Sequence, residues 1–307
     1  MRKLVLLCTS LCAMVLLFSA SPVRAQQWVG PNGNDANACT QLAPCASFQR
    51  AINVGASQIN CLGSGNYGPV TIQTSLTIDC GAGNVGNVNV SGSSNSGITI
   101  NTASAVTIVL RHLALNGLST GIAVAGITAT SFSSGTLIVE DCMIYGFGGS
   151  GIAFNPSGGR GLLLVSNSQL FQNTFGIVVQ PASGQIASVT LNKVELVANN
   201  VDGLFFGGSG VVAGTMRDSV VGENGNNGVI ASAGQVFFTV EESSIVDNLT
   251  NGIATGTAGS AIKVGASTIG GNGTGVLASS GSIVSFGNNQ ISDNGSDGNF
   301  TSTKPLK

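Results

Sequence analysis

Charge is scarce in this chain. Only 8% of its 307 residues are Asp, Glu, Lys or Arg, and it has one Trp and one His. No run of Lys and Arg is present, which argues against nucleic acid or anionic lipid as partners, since both are held through clustered cations. After residue 25 no stretch is long and apolar enough to cross a membrane as a helix. With a single imidazole, His112 in "VLRHLALNG", acid–base chemistry by His has one candidate, and the ordinary place of a lone His is structural or on the surface. The stretch "NGNDAN" (32–37) offers oxygen ligands without the carboxylate density that calcium needs, and it reads as a turn. No metal and no cofactor is expected.

What is present begins with an export signal. "MRKLVLLCTSLCAMVLLFSASPVRA" has Arg2-Lys3, an apolar run from Leu4 to Phe18, and small residues up to Ala25. That pattern predicts a signal peptide over 1–25 and a secreted or periplasmic protein. Taking Arg2, Lys3 and Arg24 from the 11 basic residues leaves eight against 13 acidic ones, a formal charge of −5. Five Cys remain: Cys39, Cys45, Cys61, Cys80 and Cys142. In an oxidising compartment Cys39 and Cys45 can close a short loop, which leaves Cys142 as a buried, inert thiol once Cys61 and Cys80 are paired.

Gly is abundant, at 45 residues, and it is not scattered. A phrase of the form xxxVxxSxIxxN returns along the chain, as in "LLLVSNSQLFQN" (162–173) and "FFTVEESSIVDN" (237–248). Its closing Asn falls at Asn173, Asn199, Asn224, Asn248, Asn272 and Asn294, at intervals of 22 to 26 residues. Gly followed by an aliphatic residue keeps the same step, from Gly97-Ile98 through Gly121-Ile122 and Gly176-Ile177 to Gly275-Val276. Inside each unit, apolar residues alternate over short Val- and Ile-rich runs separated by turn residues, which is the period of strands. A unit of this length holding two or three strands is one coil of a parallel β-solenoid, stacked on the next at ~4.8 Å. The Asn is expected to sit in a left-handed corner and form an amide ladder, and the Gly to permit the next bend.

The ladder "N…GI" at 173–294 and the lead-in "WVGPNGNDANACTQLAPCASFQRAI" resemble the right-handed parallel β-helix superfamily, the pectate-lyase-like solenoids. That resemblance implies an all-β fold of about ten coils over 58–300, preceded by an N-terminal segment over 26–57 and followed by a polar tail over 301–307. The segment 43–54 is expected to form a short capping helix with Phe48 and Ile52 on one face. Ile59-Asn60-Cys61 and Ile78-Asp79-Cys80 match with an offset of 19, which would stack Cys61 on Cys80 within disulfide reach. The polar C-terminal end either folds over the last coil or is left open to pair with another chain.

For chemistry, the two positions after the Val strand matter most. In-register stacking puts Asp218 and Glu242 about 5 Å apart on adjacent coils, near the carboxylate spacing of retaining glycosidases, and sets Arg217 beside Glu241. The rival reading is a charge ladder pairing Lys193 with Asp218 and Arg217 with Glu241. Tyr145 and Phe171 share an outward column and form the candidate sugar platform, with Phe147 and Phe175 nearby. The clustered-Asp and His signatures of the superfamily's galacturonases, and its alginate epimerases' "DPHE", are missing. The expectation is therefore a non-catalytic protein presenting a long face to polysaccharide or a surface protein. The alternative is a lyase or hydrolase of an acidic polysaccharide using Arg217, Asp218, Glu241 and Glu242, and a third reading is self-assembly through the C-terminal end.

Overall fold

The computed structural model describes residues 25–92, 95–118 and 123–304. The expected signal peptide, apart from Ala25, and the Gly121-Ile122 pair lie outside the described residues.

The alternating strands wind into a parallel solenoid of about nine turns, one fewer than the repeat suggests. Among the described residues, twenty-six strands join into one hydrogen-bonded set in which neighbouring coils pair in parallel. Three faces recur in each full coil. Face A contains Leu76–Asp79, Val211–Arg217 and Gln235–Glu241; face B contains Met143–Tyr145, Val220–Gly222 and Ser244–Val246; face C contains Phe175–Val179, Leu204–Phe206 and Asn227–Ala231. Longer strands such as Arg160–Phe171 and Ile186–Val197 bend round the corner from face A into face B without a break.

Alternation along each strand turns one set of aliphatic side chains inward. On face C, Ile152, Ile177, Leu204, Val229, Ile253 and Val276 stack in register, and none is more than 1% exposed. Each such side chain contributes about 1.5–3 kcal/mol by burial. At the N-terminal end the only helix among the described residues, Phe48–Asn53, inserts Phe48 against Tyr67, with ring centroids 5.0 Å apart. Ser47 caps this helix, its hydroxyl accepting from the Arg50 N–H at 3.2 Å. Asp35 of "NGNDAN" accepts from the Ala46 and Ser47 backbone N–H groups, so its carboxylate serves the turn. Disulfides Cys39–Cys45 and Cys61–Cys80 fix the first coils. Cys142 is free and buried. The C-terminal end adds one more short strand, Ser302–Thr303, beside Val284 and Ser285 on face A.

The recurring phrase has a different physical basis from the one its residues suggest. The left-handed corner residue is the one before the Asn: Gln172, Ala198, Glu223, Asp247 and Asp293 all have φ between 52° and 61°. The Asn itself is a buried hydrogen-bonding rung. In Asn224, for example, the backbone N–H and Nδ2 both donate to Oδ1 of Asn248, at 3.2 and 2.8 Å, while Nδ2 also donates to the Leu196 carbonyl at 3.0 Å. The Gly is demanded by space rather than by a bend. A Cβ on Gly228 would lie 2.6 Å from the Gly252 carbonyl oxygen and 2.8 Å from Nδ2 of Asn248. The two markers travel together because the amide of one coil rests on the Gly of the coil before it. The Ser of the phrase forms a second buried row: the N–H groups of Val194, Ser219 and Ser243 donate to the hydroxyls of Ser219, Ser243 and Ser267.

Candidate functional site

The corner from face A to face B collects the chain's scarce charge. Here the backbone turns through one left-handed residue per coil: His112, Asp141, Asn167, Lys193, Asp218 and Glu242, with φ between 47° and 55°. Because every coil repeats this turn, the conformation is architectural, and its effect is to line these side chains up along the molecule. The preceding residue of each coil, the last outward position of face A, forms a parallel row: Asp79, Arg111, Glu140, Ser166, Asn192, Arg217 and Glu241.

At the N-terminal end of these rows, three coils bring five ionisable groups together. His112 Nδ1 lies 2.8 Å from Asp79 Oδ1, and Nε2 lies 3.8 Å from Asp141 Oδ2. Arg111 Nε donates to Glu140 at 2.7 Å, and its guanidinium reaches Asp79 at 4.0 Å. Asp79 is fixed further by the Gly81 N–H, which donates to it at 2.8 Å. A carboxylate on Nδ1 selects the tautomer with its proton there and leaves Nε2 facing Asp141 and solvent. His112 is a quarter exposed, open enough to exchange protons with a ligand.

Asp141 also lines a depression of about 420 Å³ that runs across the corner onto face B, with Asn167, Gln169, Lys193 and Glu195 around it. Gln169 Nε2 donates to Glu195 at 2.9 Å. Among the described residues, Lys193 has no carboxylate within ion-pair distance, so the expected Lys193–Asp218 pair is not formed. Cys142 forms the floor. Burial pushes its thiol up to about 12, with the charges of Asp141 and Glu140 adding to the rise and two backbone hydrogen bonds opposing it.

The quartet Arg217, Asp218, Glu241 and Glu242 lies further along the same corner. Arg217 stands in register with Glu241 as expected, bonds it directly, and also reaches Glu242 at 3.3 Å. Both glutamates are thereby tied to one guanidinium beside a smaller hollow of about 180 Å³. That half of the row is a charge ladder. Tyr145 and Phe171 do share a column on face B, their rings parallel to within 2° and 4.9 Å apart. Each ring has one face covered by the other, which suits mutual packing better than a sugar platform. Phe147 is buried; its N–H donates to Asn173, so it heads the Asn ladder. Phe175 packs on Phe205, with centroids 5.8 Å apart.

Reading by period missed the His112 cluster. Its row is spaced 32 residues from Asp79 to Arg111 and 29 from Arg111 to Glu140, longer than the later coils. The usable signal was Ile78-Asp79, Leu110-Arg111 and Val139-Glu140, the same inward-aliphatic, outward-charged pair three times. Among the described residues no three His, Cys, Asp or Glu side chains converge as a metal set, and no helix is long and apolar enough to span a membrane.

No family model matches the sequence, and comparison with curated proteins finds no match. Among solved structures, the chain is similar to the pectate lyase Pel9A, with a TM-score of 0.64 and 16% identity over 85% of this chain and 74% of that one. It is also similar to the A-module of the Azotobacter vinelandii mannuronan C-5 epimerase AlgE6, with a TM-score of 0.56 and 19% identity over 80% and 70% of the two chains. For the AlgE4 A-module the values are 0.50 and 14%, over 91% and 98%. At these identities the likeness establishes one thing: this chain shares the parallel β-helix fold of those proteins.

Proposed function

We propose that this protein acts on a polysaccharide at the corner between faces A and B, with His112 as the proton-transfer group. One observation carries the reading: the only imidazole of the chain is held between Asp79 and Asp141, and Asp141 itself lines the 420 Å³ depression. A depression of that size suits one or two sugar rings, and its lining of amides, carboxylates and one amine suits hydroxyl groups. Asp79 orients the ring, Arg111 and Glu140 hold Asp79 and the corner in place, and Asp141 faces Nε2 from the ligand side. The fold shared with a pectate lyase and two mannuronan epimerases adds weight to a carbohydrate ligand. A protein that binds glycan without turning it over, the role its missing signatures suggest, uses the same depression and leaves the Asp79–His112–Asp141 arrangement without a task.

The test is a panel of polysaccharides incubated with the wild type, His112→Gln and Asp141→Asn, followed by assays for new reducing ends and for unsaturated products. Product from at least one polysaccharide is expected, falling roughly 100-fold or more in His112→Gln. Retarded migration in polysaccharide-containing gels without any product would reduce the protein to a binding module. Equal turnover by wild type and His112→Gln would remove His112 from the chemistry.

A further inference from the structure

Resting on that reading, we infer that the glycan taken at this corner is uncharged, in contrast to the polyuronates named for its structural neighbours. The argument is the charge balance along the path an extended chain would follow. From Asp79 to Glu242 the corner and the adjoining outward positions of face B carry seven carboxylates against Arg111, Lys193 and Arg217. Two of those three cations are spent within the protein. Arg111 is bonded to Glu140, and Arg217 lies between Glu241 and Glu242. Lys193 alone remains to meet an anion, and it shares the depression with Asp141 and Glu195. The far edge of face B adds Glu223, Asp247 and Asp293 at its left-handed corners, with no Lys or Arg in that row.

A uronate chain carries one carboxylate on every ring, so each residue laid along this corner would bring a fresh negative charge within a Debye length of several others, ~8–10 Å at ordinary salt. Calcium could bridge such a chain to a protein through converging carboxylates, but no group of three acidic side chains that could hold an ion is found among the described residues. Uncharged sugars meet no such field, and their hydroxyls match Asn167, Gln169, Lys193 and Glu195. The substrate class also selects the reaction class. An uncharged pyranose has no carboxylate to acidify its C5–H, so the elimination open to a uronate is closed to it, and the cleavage inferred is hydrolysis, with water as the acceptor. The C1–O bond breaks, the oxygen of one water bonds to C1, and one of that water's protons ends on the departing oxygen.

Binding and turnover should be measured with uncharged glucan, xylan and mannan oligosaccharides, and with polygalacturonate and alginate fragments with and without added calcium. The expected result is binding and reducing ends from an uncharged glycan, polyuronate binding at least tenfold weaker, and no unsaturated product. The Glu195→Gln/Asp218→Asn double variant should bind polygalacturonate several-fold better than the wild type does, and added salt should act in the same direction. Tighter binding of a polyuronate by the wild type, or unsaturated product with calcium present, would overturn the inference and leave the polysaccharide reading standing. No binding to any glycan would remove that reading and the inference with it.

Discussion

Replacing Asn248 with Ala tests the physical basis of the repeat at its centre. Asn248 is fully buried and takes part in five side-chain hydrogen bonds. Its Oδ1 accepts from the Asn224 N–H and Nδ2 at 3.2 and 2.8 Å. Its Nδ2 donates to the carbonyls of Val221 and Val246, both at 3.1 Å, and to Oδ1 of Asn272 at 2.9 Å. At a net ~1 kcal/mol each, with Nδ2 of Asn224 keeping its bond to Leu196, the loss is about 3–5 kcal/mol. That is a large share of the ~5–15 kcal/mol that holds a domain together. The assay is urea unfolding followed by circular dichroism, comparing midpoints at constant slope, with limited proteolysis to detect coils opening locally. Asn200→Ala is the control, since Asn200 is exposed and its side chain has no hydrogen bond among the described residues; it should cost less than about 0.5 kcal/mol. A loss below ~1 kcal/mol for Asn248→Ala would refute the ladder as a stabilising element.

Other outcomes follow from the same geometry. Gly228→Ala must push a methyl group against the Gly252 carbonyl and the Asn248 amide, and a loss of about 1–3 kcal/mol in the same assay is expected; an unchanged midpoint would contradict the close-approach account of the repeating Gly. Cys142, with its thiol pushed up to about 12 and no exposure to speak of, should resist iodoacetamide at neutral pH until urea opens the coils; rapid labelling of the folded protein would count against this. Asp202 is buried, and burial raises its carboxyl above the ordinary 3.8 although the Asn227 N–H and Nδ2 donate to it. A raised folded value means that the native state holds the proton more tightly, so stability falls as pH rises from about 4 through that value. Asp202→Asn keeps an acceptor for both donors and should be more stable than the wild type at pH 7, with the gap closing in acid; a less stable variant at pH 7 would reverse the assignment.

The fold was legible because its strongest signal, a residue at a fixed step, is also its strongest constraint. Asn173 to Asn294 mark the coils since each amide must meet the next, and Cys61 and Cys80 pair because the register of their strands leaves them adjacent. The reasons behind the letters were less legible. Sequence favours Asn for a left-handed corner, yet Gln172, Ala198 and Glu223 adopt that conformation instead, since the buried position beside it needs an amide more than the corner does. The candidate site was hidden by the same regularity. Period-based alignment led to Arg217 and Glu241, where coils are short and even, and passed over Asp79, Arg111 and His112, where longer coils put the same columns 29 to 32 residues apart. Tyr145 and Phe171 were correctly placed in one column, but only coordinates reveal that the rings cover each other.

The most direct measurement is a crystal structure of the protein soaked with the oligosaccharide that its own activity panel selects. Sugar density should fill the depression bounded by Asp141, Gln169, Lys193 and Glu195, with a glycosidic oxygen within hydrogen-bonding reach of His112 or Asp141. Density on another face, with this corner empty and His112 untouched, would contradict the account.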